Sequence, residues 1–191
     1  FYIEHIPKRW ERFSDVILFN EGSFAEEKWD SYINKEFWGI IAEALDVKRI
    51  GIKGEIFGDK RESNVRMVLG EMDWVIRLEN GIKYGYNITK CMFSAGNINE
   101  RRRMGKIVTS GESIVDLYAG IGYYTLPILA NSLTKHVFAC EWNENAISAL
   151  RRNLQINNID ETRCSIFEGD NRITTNQISG VANRVILGLL P

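Results

Sequence analysis

Residues 113–125 read Ser113-Ile114-Val115-Asp116-Leu117-Tyr118-Ala119-Gly120-Ile121-Gly122-Tyr123-Tyr124-Thr125. A short apolar run ends in an acid, a glycine loop follows, and a helical pattern begins after the loop. In α/β proteins, such a strand–loop–helix corner binds nucleotide-like ligands, because loop amides and the helix N-terminus face the ligand. Glycine lets the backbone approach the ligand closely, since it has no Cβ. The stretch therefore predicts a ligand-binding turn in an α/β domain.

The spacing of the glycines separates two classes of ligand. A dinucleotide-binding loop has a third glycine where this sequence has Thr125, which disfavours a nicotinamide-dependent dehydrogenase. The order Asp116-x-x-x-Gly120-x-Gly122 instead resembles the first motif of class I S-adenosylmethionine-dependent transferases. Glu141 ends the next apolar run, about 20 residues beyond the loop, where an acid accepts hydrogen bonds from ribose hydroxyls. We therefore expect these residues to bind S-adenosylmethionine, with Asp116 either a ligand contact or an organiser of the loop.

The composition is that of an ordinary globular protein. The 191 residues are 45% hydrophobic and 26% charged, and the formal net charge is −1, so a nucleic-acid surface must be a local patch. The sequence has no secretory signal and no apolar run of membrane-spanning length, which predicts a soluble, cytoplasmic protein without membrane contact. Three scattered cysteines and two histidines show no zinc-binding spacing, so we expect no metal. We expect a monomer.

Hydrophobic periodicity divides the chain into a small α+β module at 1–93, a polar, Arg-rich connecting segment at 94–113 that is predicted to contain a helix, and a Rossmann-like domain at 114–191. In the module, residues 36–46 have helical spacing, and short β-like runs follow, with a hairpin turn at Glu79-Asn80-Gly81. Strands and helices alternate in the domain, which predicts a doubly wound parallel sheet. Its predicted strands are 114–117, 136–140, 163–168 and 184–189, and its helices are 123–131 and 144–157. A class I transferase sheet has more strands and the chain lacks an initiator Met, so we expect a piece cut at both ends, with an incomplete sheet.

Several separated segments together resemble one family. They are Pro7–Trp10, Glu79–Tyr84, Phe93–Arg101, Asp116–Gly122, Glu141–Asn143, Asn153 to Asn157 and Gly169–Arg172. The family contains the tRNA guanine-37 N1-methyltransferases and the related transferases of wybutosine synthesis, and the resemblance covers nearly the whole chain. It implies that Gly169 and Asp170 contact the adenine amino group. It also implies that the segment with Ser94 and Arg101 folds over the cofactor, where this hydroxyl and guanidinium suit the methionine carboxylate.

One departure from the family pattern bears on the reaction. Methyltransferase members have Asn-Leu-Pro after the fourth strand, where the Asn helps guanine N1 lose its proton, and Leu189 stands at that Asn here. Leucine neither accepts nor relays a proton. The resemblance therefore implies transfer of the 3-amino-3-carboxypropyl group of S-adenosylmethionine to the tricyclic modified guanine at position 37 of tRNA-Phe. The partner is then the anticodon region of that tRNA, and no catalytic residue is assigned.

Two other functions remain open on the sequence. A guanine-37 N1-methyltransferase would keep the glycine loop but requires Asn at Leu189, and a tRNA-binding module without catalysis is compatible with an incomplete sheet. The run Arg101–Arg103 is either a solvated charge run or a contact to tRNA phosphates, which would be sensitive to salt. The same two interpretations apply to Lys8, Arg9 and Arg12.

Overall fold

The computed structural model describes residues 2–54 and 63–188. The strands are β1 (Trp10–Phe13), β2 (Val16–Phe19), β3 (Arg49–Ile52), β4 (Arg66–Leu69), β5 (Trp74–Glu79), β6 (Ile82–Asn87), β7 (Ser113–Asp116), β8 (His136–Glu141), β9 (Cys164–Glu168) and β10 (Arg184–Ile186). The α-helices are α1 (Lys35–Ala44), α2 (Ile98–Ile107), α3 (Thr125–Asn131), α4 (Glu144–Ile156) and α5 (Asn171–Thr174). Leu189, on which the choice between the two transfer reactions rests, lies outside the described residues.

The chain forms two compact units. The first comprises residues 1–76 and 87–92, and the second comprises residues 77–86 and 93–191. The segment 94–113, predicted as a helical connection, contains α2, which packs against α3 and belongs to the second unit. The tip of the β5–β6 hairpin also belongs to the second unit.

The first unit is a mixed α+β fold. Its sheet has the order β1-β2-β3-β4, in which β2 and β3 are parallel and the outer pairs are antiparallel. Helix α1 begins after Asn34, whose side chain accepts a hydrogen bond from Phe37 N at 2.9 Å, a typical N-cap. The core centres on Phe24, whose ring packs edge-on against four aromatic rings, those of Phe19, Trp29, Phe37 and Trp38. Strand β1 was not expected, since four residues are too few to show a clear period.

The second unit contains the predicted parallel sheet. Its order is β10-β7-β8-β9, and all three pairings are parallel. The apolar stripe of α4 is buried as its spacing predicts, and the helix begins after Asn143, which accepts a hydrogen bond from Asn145 N at 3.0 Å. The structure confirms the Rossmann-like α/β class. The last strand is shorter than predicted and ends at Ile186 within the described part of the chain.

The hairpin β5–β6 turns at the predicted Asn-Gly pair. Asn80 and Gly81 have φ of +51° and +81°, the two positive values that a type I′ turn requires.

Over residues 2–54 and 63–188, no helix is both long and apolar enough to cross a membrane. In the same ranges, no group of three or more His, Cys, Asp or Glu side chains is placed to hold a metal ion.

Candidate ligand-binding site

The C-terminal ends of β7, β8 and β9 meet at one edge of the parallel sheet. Glu141 is in register with Glu168, and Gly169 N donates to the Glu141 carbonyl at 2.8 Å. The loops after the outer two of these strands are also joined, because Asn171 Nδ2 donates to the Leu117 carbonyl at 2.7 Å. The structure therefore brings Asp116, Glu141 and the Gly169-Asp170 turn together at the edge where open α/β sheets bind ligands.

The glycine loop leads from β7 into α3, and its two glycines cannot be replaced without strain. Gly120 and Gly122 have φ of +55° and +102°. A Cβ on Gly120 would collide with the ring of Tyr123. A Cβ on Gly122 would lie 2.6 Å from Leu126 Cγ and 2.8 Å from Leu150 Cδ1. The loop can therefore pack tightly against the start of α3 and against α4 only with glycine at these positions.

The carboxylate of Glu141 accepts three backbone hydrogen bonds. Oε2 accepts from Gly120 N at 2.7 Å, and Oε1 accepts from Trp142 N at 3.0 Å and from Asn143 N at 2.9 Å. The side chain is half-buried, and each oxygen has lone pairs for more than one donor. Glu141, which is predicted to bind the ribose hydroxyls, thus also fixes the glycine loop to the end of β8.

Asp116 is fully buried and organises the start of α3. Its Oδ2 accepts a hydrogen bond from Thr125 Oγ1 at 2.8 Å, while Oδ1 is buried without a hydrogen-bond partner among the described residues. Burial raises the pKa of Asp116 to about 6. This placement supports the interpretation of Asp116 as an organiser of the loop. Sequence reasoning missed the part of Thr125, which is more than a missing glycine: it is the hydroxyl that partners the acid.

The Gly169-Asp170 turn follows β9 as expected. Gly169 has φ of +126°, and Asp170 begins α5 by accepting a hydrogen bond from Arg172 N at 2.9 Å. The guanidinium of Arg172 also pairs with this carboxylate and, as the largest cause, holds the pKa of Asp170 below its usual value. Asp170 is therefore a charged cap, with its carboxylate engaged by its own turn.

Arg101 and Ser94 lie together, but the guanidinium of Arg101 is already occupied. Arg101 Nε and Nη2 donate to the two oxygens of Glu79 at 2.5 and 2.9 Å, and Nη1 donates to the Ser94 carbonyl at 2.9 Å. Arg101 is only 2% exposed. Its role as a ligand of the methionine carboxylate stays a prediction, and this arrangement gives it a structural role. Glu79 was quoted in the sequence only as part of the hairpin turn.

An aromatic cluster connects this segment to the glycine loop. The guanidinium of Arg101 lies 4.7 Å from the centre of the Phe93 ring, and that ring lies 5.7 Å from the ring of Tyr123. Tyr84 Oη donates to the Tyr123 carbonyl at 3.4 Å, and burial raises the pKa of Tyr84 above its usual value. The backbone of the loop is thus supported from the hairpin side as well as from the sheet.

Two carboxamides on α4 bind the edge of β6. Asn153 Oδ1 accepts from Gly85 N at 2.7 Å, and its Nδ2 donates to the Gly85 carbonyl at 3.0 Å and to the Ile121 carbonyl at 2.9 Å. One turn further on, Asn157 Oδ1 accepts from Lys83 N at 2.8 Å, and its Nδ2 donates to the Lys83 carbonyl at 2.7 Å. Four residues of helix rise about 6 Å, close to the roughly 6.6 Å between alternate residues of a strand. The pair therefore fits the strand edge as a second strand would.

A groove of about 850 Å³ lies along α2 and α3 in the second unit. Residues of the hairpin, of both helices and of the turns that follow them line it: Asn80, Ile82, Tyr84, Arg101, Arg102, Gly105, Lys106, Val108, Ser110, Pro127, Asn131, Ser132 and Leu133. The two helices approach closely here, because a Cβ on Gly105 would lie 2.8 Å from the Pro127 carbonyl oxygen.

A glycine loop after the first strand of a parallel sheet, with an acid after the second, is typical of the class I, Rossmann-like transferase fold, and the second unit has this fold. The chain belongs to the TRM5/TYW2 family. Residues 75–191 match the TRM5/TYW2 methyltransferase domain, and residues 2–73 match the TYW2 N-terminal domain. This membership confirms the resemblance seen in the sequence.

Known proteins resemble the chain over nearly its whole length. It is 47% identical over 187 residues to the tRNA wybutosine-synthesizing protein 2 homolog of Danio rerio, covering 97% of this chain and 45% of that protein. The chain thus spans less than half the length of this relative. A crystal structure of P. horikoshii TYW2 in complex with MeSAdo is 31% identical with a TM-score of 0.77, covering 97% of this chain and 64% of that one. The complex of aTrm5 and tRNALeu is 25% identical with a TM-score of 0.74, covering 96% and 52%.

Proposed function

We propose that the protein transfers the 3-amino-3-carboxypropyl group of S-adenosylmethionine to the modified guanine at position 37 of tRNA-Phe, in wybutosine synthesis. The observation that carries this proposal is the match of both units to TYW2, from the N-terminal domain to the site at the sheet edge. The site geometry supports it, since the glycine loop lies at the edge where the parallel strands end and its Gly120 amide is held by Glu141, the acid that ends β8.

The proposed reaction is a displacement at carbon. A carbon of the tricyclic base forms a bond to the aminocarboxypropyl carbon, the bond from that carbon to the sulfonium sulfur breaks, and its electron pair leaves with methylthioadenosine. The base carbon then loses its proton to solvent water, which restores the aromatic ring. Sulfonium itself supplies the leaving group, so the contribution expected of the protein is orientation of the correct carbon toward the base.

The chain's own residues divide this task. We propose that Glu141 holds the ribose hydroxyls and that Gly120 and Gly122 allow the loop backbone to approach the ligand. We further propose that the Gly169-Asp170 turn contacts the adenine amino group. For Arg101 to reach the methionine carboxylate, its ion pair with Glu79 must open, so this assignment is the most demanding of the set.

The partner and setting are also proposals. We propose that the anticodon region of tRNA-Phe is the partner; the complex of the related aTrm5 with tRNALeu supports a tRNA as partner. We further propose a cytoplasmic monomer that needs no metal. Of the unsettled cationic residues, Arg12 donates to the Leu45 and Asp46 carbonyls, so its guanidinium is used within the first unit.

Two labels on S-adenosylmethionine test the reaction. The purified protein is incubated with tRNA-Phe that carries the tricyclic base and with donor labelled either on the methyl or on the carboxyl carbon. We expect only the carboxyl label to enter the tRNA, with methylthioadenosine as the by-product. tRNA with an unmodified guanine at position 37 is the matched control and should remain unlabelled. Methyl label in the tRNA would instead identify a methyltransferase, and tRNA retention without either label would identify a binding module.

A further inference from the structure

Among the described residues, the lining of the groove along α2 and α3 combines apolar side chains with polar and basic ones and includes no acid. Its charged lining residues are Arg101, neutralised by Glu79, and the exposed cations Arg102 and Lys106, which lie one helical turn apart. Neither exposed cation has a carboxylate partner in residues 2–54 and 63–188. Asn80, Ser110, Asn131 and Ser132 add neutral polar groups to the lining. In a chain of net charge −1, this is a local concentration of positive charge.

The structure also divides the arginine run that the sequence left open. Arg101 points inward to Glu79, and Arg103 forms an ion pair with Glu100 at 2.5 Å. Of the three, Arg102 lines the groove and has no such partner within residues 2–54 and 63–188, and Lys106 joins it there. Helix α3 connects the two regions: it begins at the glycine loop and its last residue lines the groove, about 10 Å away along the helix. A tRNA that reaches the sheet edge can span this distance.

We propose that this groove binds the phosphate backbone of the substrate tRNA through Arg102 and Lys106. This inference rests on the proposed function, which supplies the tRNA. Contacts of this kind are independent of sequence, position the nucleic acid and weaken steeply with salt. The groove is thus a docking surface for the RNA strand that is separate from the reaction site, since Ser110 and Leu133 of its lining precede β7 and β8 while the ligand site follows these strands.

Salt titration of binding tests the groove. Binding of tRNA-Phe that carries the tricyclic base is measured by fluorescence anisotropy for the parent protein and for Arg102→Ala/Lys106→Ala. We expect the double variant to bind roughly tenfold or more weakly at low salt and its salt slope to fall by about two, one for each lost phosphate contact. Arg103→Ala removes the same charge from a paired residue on the same helix and should change the slope little.

The outcomes separate this inference from the proposed function. If the parent protein binds tRNA and the double variant matches it, or if Arg103→Ala has the same effect, the groove is not the docking surface. If the parent protein does not bind tRNA at all, the proposed function itself fails. Unchanged S-adenosylmethionine binding in the double variant, measured by calorimetry, verifies that the fold is intact.

A second inference comes from the carboxamides of α4. Asn153 and Asn157 make the same two bonds to alternate residues of β6, but only Asn153 also reaches the glycine loop, at the Ile121 carbonyl. Asn153 is fully buried. We infer that Asn153 is a positioning residue that fixes the carbonyl between the two loop glycines and so couples the hairpin to ligand binding. This step also rests on S-adenosylmethionine being the ligand.

The shared bonds make Asn157 a matched control. We expect Asn153→Ala to weaken S-adenosylmethionine binding about tenfold in calorimetry, and Asn157→Ala to change it less than twofold. Leu154→Ala, a buried apolar truncation on the same helix, controls for lost stability alone and should also leave affinity within twofold. An equal loss in all three variants, or no loss in Asn153→Ala, overturns the inference. A parent protein that does not bind S-adenosylmethionine overturns the proposed function instead.

Hydrogen exchange on the unaltered protein gives a second test that does not depend on a variant folding. The Gly85 amide donates to Asn153, and the Lys83 amide donates to Asn157. Because coupling between two sites is reciprocal, saturating S-adenosylmethionine should slow exchange at Gly85 several-fold and leave Lys83 nearly unchanged. Equal slowing at both amides, or none at Gly85, contradicts the positioning role.

Discussion

Glu141 combines two tasks in one carboxylate. It accepts the amide of Gly120 on one oxygen and the amides of Trp142 and Asn143 on the other, so the loop and the strand end are held by one side chain. The spacing of the sequence predicts this acid as a ribose ligand, and the structure adds that the same acid fixes the loop. A neutral side chain at this position would disturb both the predicted contact to the ribose and the attachment of the loop.

Glu141→Gln is expected to weaken S-adenosylmethionine binding by roughly 10- to 100-fold, the effect of one lost charge-assisted hydrogen bond. In glutamine, an NH2 group replaces one of the two carboxylate oxygens. This donor would face a backbone N–H group that needs an acceptor. Isothermal titration calorimetry measures the change. Glu168→Gln is the matched control, because Glu168 ends the adjacent strand and is exposed. Equal affinity in both variants would show that Glu141 does not touch the ligand.

Thr125→Val is expected to destabilise the fold by about 1–3 kcal/mol, because the buried Asp116 loses its hydroxyl donor. Burial raises the pKa of Asp116 from 3.8 to about 6. Between these two pH values the folded state binds more protons than the unfolded state, so the free energy of unfolding falls as pH rises. Without the hydroxyl, the pKa of Asp116 rises further. The stability lost in Thr125→Val should therefore be larger at about pH 7.5 than at about pH 5. Urea unfolding at the two pH values measures it.

The control for this pH dependence is Thr134→Val. Thr134 is also buried, but its hydroxyl donates to the Glu112 carbonyl, which does not titrate. Its cost should therefore be the same at both pH values. If Thr125→Val likewise shows no difference between them, the hydroxyl of Thr125 does not lower the pKa of Asp116 in the folded state.

At the scale of elements, the hairpin and α2 are joined by an ion pair that neither element reveals alone. Glu79 ends β5 and Arg101 lies on α2, and both side chains are 2% exposed. A buried pair of this kind is strongly destabilised when one partner is lost, since the other remains charged and unpaired. The pair is therefore a sensitive point in the second unit.

Glu79→Gln is expected to lower the free energy of unfolding by about 3–5 kcal/mol, as for other broken buried pairs. Glu100→Gln removes the exposed partner of Arg103 from α2 and should cost about 1 kcal/mol or less. Denaturant unfolding compares the two variants. Similar costs for both would mean that the Glu79–Arg101 pair contributes no more than a surface pair.

The elements were predictable from the sequence to the extent that their signals are local. The 3.6-residue stripe of α4, the Asn-Gly turn of the hairpin and the strand-end acid Glu141 all stand within a few residues of the element they define. The partner of Arg101 was not predictable, because Glu79 is 22 residues away and meets it only through packing. The same holds for Asn153, whose three bonds join residues that the sequence separates by 32 and 68 positions.

At the scale of the whole molecule, the aromatic core of the first unit and the predicted ligand site belong to different units. All the predicted ligand contacts lie in the second unit, whereas the aromatic core around Phe24 lies in the first. Changes in that core should therefore affect folding of the first unit without altering affinity for the ligand.

Phe24→Ala is expected to cost about 3–5 kcal/mol, because it removes the ring that four aromatic neighbours surround. S-adenosylmethionine affinity should remain within about twofold of the parent value. A tenfold change in affinity would correspond to about 1.4 kcal/mol of binding free energy. Denaturant unfolding and calorimetry measure the two effects. Met72→Ala, at an exposed position of the same unit, is the control and should change stability by about 0.5 kcal/mol or less. A tenfold loss of affinity in Phe24→Ala would contradict the separation.

The carboxamides of Asn153 and Asn157 have a further consequence for the behaviour of the protein in solution. A two-stranded hairpin offers an open edge on which strands of other molecules can add and aggregate. Along Lys83 and Gly85, every outward amide and carbonyl of β6 is already bonded to α4. The helix thus blocks intermolecular strand addition at this edge through bonds made within the second unit.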